Sequence, residues 1–168
     1  MSEHFASEST SGPLRVAAIG LGWVTQNRHL PVMARQKSIE VVGVIDRHPG
    51  RAAQVADRLK LPRHAEATSL RDVPWIDEVD AITIGTAPFS HFALISEALE
   101  LGKHVLTEKP FTMSRNESDE LITRRDAAGR TLAIVHNFQF ASSTSKLLAD
   151  LSRGRLGEVA SIQAVQFG

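Results

Sequence analysis

The sequence predicts an α/β fold: a doubly wound, mostly parallel sheet, followed by the first helix and strand of a truncated α+β second domain. Three observations carry the prediction. Short apolar runs alternate with segments of helical period from Leu14 to Val135, the pattern of strand–helix–strand units with right-handed crossovers. Most of the runs carry few polar residues, as strands covered by helices on both faces do. From Phe140 the pattern changes to one helix and one strand of alternating, half-polar character.

Taken in order, residues 1–13 are polar and rich in Ser and Glu, and read as a flexible tail. Strand one is Leu14 to Ile19. The following helix runs from Trp23 to Arg35 with Pro31 inside it. A proline there removes a hydrogen bond and clashes with the preceding turn, so a break is expected near His29-Leu30, with Pro31 restarting the helix. Strand two is Ile39 to Ile45. Pro49 is expected in the first turn of helix two, which continues to about Lys60. A short strand around Arg63 to Ala65, a helical turn at Thr68 to Asp72 and a loop through Pro74 and Trp75 follow. Ala81 to Gly85 is a buried strand. Ser90 is expected to cap a helix whose apolar Phe92, Ile95 and Leu99 keep a helical period, and Gly102 ends it. His104 to Thr107 is the next strand. Ser114-Arg115-Asn116-Glu117 is a capping box for a helix ending at Gly129, and Leu132 to Val135 is the sixth strand. The main domain is therefore placed at 14–140. Residues 141–168 (helix Ser142 to Leu151, turn Gly154 to Gly157, strand Val159 to Phe167) read as the start of an incomplete substrate or oligomerisation domain. Its last strand has no later partner, which predicts self-association.

With 168 residues the chain can bury one good core. Lys+Arg and Asp+Glu both stand at 19, so no basic excess points to nucleic acid or an anionic membrane. The absence of Cys excludes disulfides, thiolate metal sites and a Cys nucleophile. No apolar stretch reaches the roughly 18 residues of a membrane span, and the start lacks the features of a secretory signal; a cytoplasmic location is expected. His29, His48 and His64 lack metal-ligand spacing, so no metal is expected. No G-x-S-x-G elbow supports acyl transfer, and Gly102-Lys103 lacks the upstream glycine loop of a triphosphatase.

The chemistry-bearing stretch is Ile19-Gly20-Leu21-Gly22-Trp23-Val24-Thr25. A strand, a G-x-G turn and a helix start give a dinucleotide pyrophosphate what it needs: a tight turn at Gly20, close backbone approach at Gly22, and free N–H groups from there into Trp23 and Val24. This is the Rossmann fingerprint, except that its third position is Thr25 and not Gly, a looser match at the point where helix and strand pack. Asp46, at the end of strand two, stands about 20 residues on, where an acid bonds the adenosine ribose; capping helix two is its other reading. An acid there favours NAD, while the adjacent Arg47 can pair with the extra phosphate of NADP. NAD is expected, with NADP as the alternative.

Further along come Thr86-Ala87-Pro88-Phe89-Ser90-His91, then Gly102-Lys103-His104-Val105-Leu106-Thr107-Glu108-Lys109-Pro110, then His136-Asn137-Phe138-Gln139-Phe140. Together with Gly20-Leu21-Gly22 and Asp46, in that order, they resemble the Gfo/Idh/MocA oxidoreductases over roughly residues 14–168. The resemblance implies an NAD(P)-dependent dehydrogenase or reductase acting on a sugar, inositol or related polyol. It implies that Lys109 lies beside the nicotinamide and the substrate hydroxyl, with a cis bond to Pro110. The loop from Thr86 through Pro88 to His91 would border the cofactor, and the segment with Asn137 and Gln139, expected to contribute to the cofactor pocket, would lead to the substrate domain. The family's second domain supplies the substrate pocket, an Asp and a His, and much of the subunit contact. A chain holding only its beginning is expected to be inactive alone, and to require a homo-oligomer or a complementing polypeptide. A stand-alone NAD(P)-binding module without turnover is the other reading.

A lysine close to a secondary alcohol can hold and help remove its proton. Lys109 is the expected catalytic residue, since ligands of open α/β sheets bind at the strands' C-terminal ends. Glu108 is either a ribose or structural partner or simply solvated. His91 is either a polar residue of the helix start or part of the cofactor border. Trp23 either closes over the phosphate loop or packs on the sheet.

Overall fold

The computed structural model describes residues 12–163 and 165. Six strands, β1 (Leu14–Ile19), β2 (Ile39–Asp46), β3 (Arg63–Glu66), β4 (Ala81–Ile84), β5 (His104–Thr107) and β6 (Leu132–Ile134), form one sheet in the order β3-β2-β1-β4-β5-β6. Every pairing is parallel. Helices α1 (Leu30–Met33), α2 (Arg51–Leu59), α3 (His91–Glu100) and α4 (Arg115–Ala128) make four of the crossovers, and 3-10 turns alone make the one from β3 to β4.

The sheet buries both faces, so its strands are apolar on both. Val16 and Ala18 of β1 pack with Leu30, Met33, Val55 and Ala56 of α1 and α2. Ala17 and Ile19, one residue out of phase, pack with Ile95, Leu99 and Leu121 of α3 and α4. Each such fully buried Leu or Ile contributes about 1.5–3 kcal/mol by leaving water. Trp75 is also buried there, within the segment expected to be loop; two 3-10 turns, Leu70–Asp72 and Ile76–Glu78, carry its neighbours.

Three local expectations need correction. The helix after β1 is not interrupted at His29-Leu30, although Pro31 does fall in the first turn of α1. It passes through a π-helical turn, Thr25–His29, into α1, with the Leu30 N–H reaching back to Thr25 O. The wider turn relieves the clash that a proline ring makes with an ordinary preceding turn. Pro49 is not in the first turn of α2: Gly50 takes a left-handed conformation at the N-cap, and the helix begins at Arg51. Ser90 does not cap α3. It already has helical dihedrals in the 3-10 turn Pro88–Ser90, and its hydroxyl meets Thr86 Oγ1 and Ala87 O, both at 2.8 Å. The Ser114 cap is present, accepting from the Glu117 N–H at 3.3 Å.

Contacts divide the chain between Val135 and His136. The second unit contains a 3-10 turn, Asn137–Phe140, and α5 (Ser142–Ser152). The strand expected at 159–167 does not form at residues 159–163 or 165, which join no ladder. Strand geometry is stable only when the backbone finds a partner edge, and none is present in this unit among the described residues. Positions 164 and 166–168, like residues 1–11 of the expected tail, lie outside the described residues. Among those described, no helix is long and apolar enough to cross a membrane.

Candidate cofactor site at the sheet switch point

β1 sits between β2 and β4, and the helices that follow β1 and β4 pack on opposite faces. The chain therefore parts at the C-terminal ends of β1 and β4, where open parallel sheets leave a crevice. A cavity of about 410 Å³ opens there, lined among others by Gly20, Gly22, Asp46, Arg47, Thr86 and Phe89.

Gly20 is required by the protein itself. Its φ is +86°, and a Cβ would stand 2.5 Å from Thr86 Cγ2 and 2.7 Å from Thr86 N. Gly22 is different: a Cβ there would meet only Gly85 O, at 4.0 Å. Nothing among the described residues needs a glycine at that point, so the open space suits a ligand that must approach the backbone closely, as a pyrophosphate does. The residues present thus fit a dinucleotide.

Thr25, at the third glycine's position, is fully buried, and its hydroxyl donates to Gly20 O at 2.7 Å. The missing glycine is supplied from the neighbouring strand end instead: at Gly85 a Cβ would lie 2.1 Å from Thr25 Oγ1. The bulk has moved across the interface, and the turn gains a hydrogen bond.

Asp46 does not cap α2. It is 3% exposed, and its Oδ2 accepts the Leu21 N–H at 2.7 Å while Oδ1 accepts the His48 N–H at 2.8 Å. His48 Nδ1 is 2.7 Å from Oδ1, and Arg51 Nη1 is 3.6 Å from Oδ2. Burial alone would push this carboxyl up. The N–H bonds from His48 and Leu21, the His48 ring and Arg51 outweigh burial and hold it below the usual carboxylate range.

The Lys109–Pro110 bond is cis. Lys109 is exposed at the end of β5 and makes no side-chain hydrogen bond or ion pair among the described residues. Glu108 is not simply solvated: its Oε1 lies 2.9 Å from His29 Nε2, and its Oε2 accepts the Lys109 N–H at 3.2 Å. His91 is fully buried. Its Nδ1 lies 2.8 Å from Pro110 O and its Nε2 3.2 Å from Thr86 O.

Of the expected site residues, Gly20, Gly22, Asp46, Arg47 and Thr86 line the cavity. Trp23 is 65% exposed, does not pack on the sheet, and has the Arg28 guanidinium 5.1 Å from its ring centre. Val24 is exposed beside it. Pro88, His91, Glu108 and Lys109 are not in the cavity wall, and Asn137 and Gln139 lie exposed in the second unit. His48, Arg51 and Thr68 also line the cavity without having been expected, and Phe89 and Ser90 of the expected Thr86 to His91 loop join them. His29 has no linear signal at all, because 79 residues separate it from Glu108. Among the described residues no cluster of His, Asp or Glu can hold a metal ion.

Residues 14–136 match the family described as an oxidoreductase family with an NAD-binding Rossmann fold. D-glucoside 3-dehydrogenase of Escherichia coli (strain K12) is 30% identical over 156 residues, covering 91% of this chain and 43% of that protein. UDP-N-acetylglucosamine 3-dehydrogenase of Acidithiobacillus ferrooxidans is 35% identical over 126 residues, covering 73% and 37%. A 3-ketoreductase from Actinomadura kijaniata, solved with TDP-benzene and NADP, superposes with a TM-score of 0.75 at 27% identity, covering 85% of this chain and 44% of that one. The chain spans less than half the length of the curated relatives it matches. On these matches, the glycine turn and the Glu108-Lys109-Pro110 segment, the chain belongs to the Gfo/Idh/MocA oxidoreductase family, and residues 14–136 are its NAD-binding Rossmann domain.

Proposed function

We propose that this chain is the cofactor-binding half of an NAD(P)-dependent oxidoreductase acting on a secondary hydroxyl of a sugar or related polyol. Turnover then requires a substrate-binding part, on the same polypeptide or on another. The observation that carries the reading is the space at Gly22, an opening the fold does not demand, at the mouth of the switch-point cavity.

In this reading Gly22 and the first helical N–H groups hold the pyrophosphate, and Asp46 stands at the adenosine ribose. The bound nicotinamide supplies the chemistry of hydride acceptance and donation. Lys109 holds the proton of the substrate hydroxyl and helps move it. An exposed ammonium with no partner among the described residues is free to meet a substrate oxygen. Two relatives named above are 3-dehydrogenases and the structural neighbour is a 3-ketoreductase, so the 3-hydroxyl of a pyranose is the first substrate class to try. Asp46 favours NAD. With His48 and Arg51 already beside its carboxylate and Arg47 on the same wall, repulsion of a 2′-phosphate is weakened, and NADP is bound less tightly, not refused.

The test is a titration of the 168-residue chain with NADH and NADPH, following Trp fluorescence. Exposed Trp23 on the phosphate loop should respond, while buried Trp75 serves as an internal constant. Saturable binding, tighter for NADH, is the expected outcome. A folded chain that binds neither would overturn the proposal.

A further inference from the structure

Two histidines reach the segment that carries Lys109, one from each side. His29 ends the π-helical turn on the helix whose start forms the glycine loop. A carboxylate only accepts, so the His29 Nε2–H donates to Glu108 Oε1, in a pair whose side chains are 13% and 15% exposed. The second oxygen of Glu108 accepts the Lys109 N–H, and the Glu108 N–H is fixed to Ile84 O at 2.9 Å. Beyond Lys109, the Pro110 carbonyl faces the buried His91 ring.

We propose that His29 is a positioning residue for Lys109, acting through Glu108, with His91 as the opposite brace through Pro110. The proposal rests on the reading of Lys109 as the proton-handling group. A lysine ends in a long flexible stem, so the region its ammonium samples is set by how firmly its main chain is held. A misplacement of about 1 Å is costly for chemistry. Glu108 does the holding, and it does so only while it is itself held. A mostly buried carboxylate without a partner turns toward water or toward the nearest cation. Without His29 that motion withdraws the acceptor from the Lys109 N–H and offers Glu108 to the Lys109 ammonium as a competing counter-ion. His29 thus keeps Glu108 on the main chain and off the reacting side chain. It also ties the phosphate end of the site to the proton-handling end through one short helical segment.

The experiment measures NMR-detected amide exchange of the full chain, with NADH affinity alongside, for His29→Ala, His29→Gln, Glu108→Ala and the double variant. His29→Ala should raise exchange at the Lys109 amide about tenfold. The Val105 and Leu106 amides should be unchanged, and the Kd for NADH should move less than about threefold, because the glycine loop is intact. His29→Gln keeps a donor and should restore most of the protection. In the Glu108→Ala background, His29→Ala should add nothing further, which is the signature of a coupled pair. An unchanged Lys109 amide in His29→Ala overturns the proposal. So does a rise spread equally over β5 and Gly20-Leu21, which would make His29 a fold-holding residue. If His29→Ala does not fold, Glu108→Ala decides: its Lys109 amide must exchange faster. Loss of NADH binding by the unmodified chain would sink the proposed function without touching this result.

Discussion

Each end of the parallel sheet is closed by a carboxylate, and the two closures differ in what they bind. At the N-terminal edge, Asp80 takes the Arg15 side chain in a two-point contact, Oδ2 from Nε at 3.0 Å and Oδ1 from Nη2 at 2.7 Å, plus the Arg15 N–H at 2.9 Å. That pair is solvent-washed, with side chains 47% and 33% exposed. At the C-terminal edge, Asp46 is buried and binds main-chain N–H groups of Leu21 and His48. Both carboxyls sit below their usual range, Asp80 chiefly through the Arg15 hydrogen bond and Asp46 in spite of burial. An end that only joins strands can be closed by two side chains satisfying each other. An end that serves a ligand spends its acid on shaping a backbone turn, whose remaining N–H groups and glycine surface then face open space.

That contrast is broken most severely at Gly20. In Gly20→Ala the positive φ and a contact of 2.5 Å with Thr86 should cost on the order of 3 kcal/mol. Thermal unfolding should then show Tm lower by roughly 10 °C. Gly22→Val sharpens it from the other side. The fold has room for a Cβ there, so Tm should move by only about 2 °C while NADH affinity falls on the order of a hundredfold, as expected when a side chain fills the phosphate approach. Equal stability losses in the two variants would mean that Gly22, too, serves the fold and not a ligand.

Asp46→Ala comes next. It leaves the buried Leu21 N–H without an acceptor, a loss of about 2 kcal/mol, and should weaken NADH binding as well because the turn relaxes. Its pH dependence has a definite sign. The folded carboxyl is held below the ordinary aspartate range, so its contribution is present above the unfolded value of about 3.9 and drains away as pH falls through the folded value. The stability gap between the unmodified chain and Asp46→Ala should therefore close below pH 4, read from urea midpoints. A gap that persists at low pH would show that the carboxylate charge is not what holds the turn.

The local part of this site was legible in the sequence because its signals are local. A strand, G-x-G and a helix occupy consecutive residues, and apolar runs reported a sheet covered on both faces. Glu108-Lys109-Pro110 lay at a strand end for the same reason. What was not legible depends on pairs made only by folding. Thr25 reads as a departure from the fingerprint because its compensating partner, Gly85, follows β4, far on in sequence, although the two meet across the turn. His29 looked idle because Glu108 arrives through β5. Pro31 looked like a helix breaker because spacing cannot say that a π turn precedes it. The strand expected at 159–167 followed from alternation alone, and alternation cannot supply a partner edge.

The smallest effect is expected at the N-terminal edge, and its smallness is the point. Arg15→Ala removes a pair that water can replace on both sides, so Tm should fall by less than about 3 °C. The deficit should shrink further in about 1 M salt, where screening already weakens the pair. Because the Arg15 hydrogen bond also holds the Asp80 carboxyl below its ordinary range, Arg15→Ala and the unmodified chain should converge as pH drops below about 4. NADH affinity should not change, since no cavity-lining residue contacts this edge through the pair. A several-fold loss of NADH binding in Arg15→Ala would mean that the two ends of the sheet are coupled through β1. The separation of a structural edge from a ligand edge would then have to be abandoned.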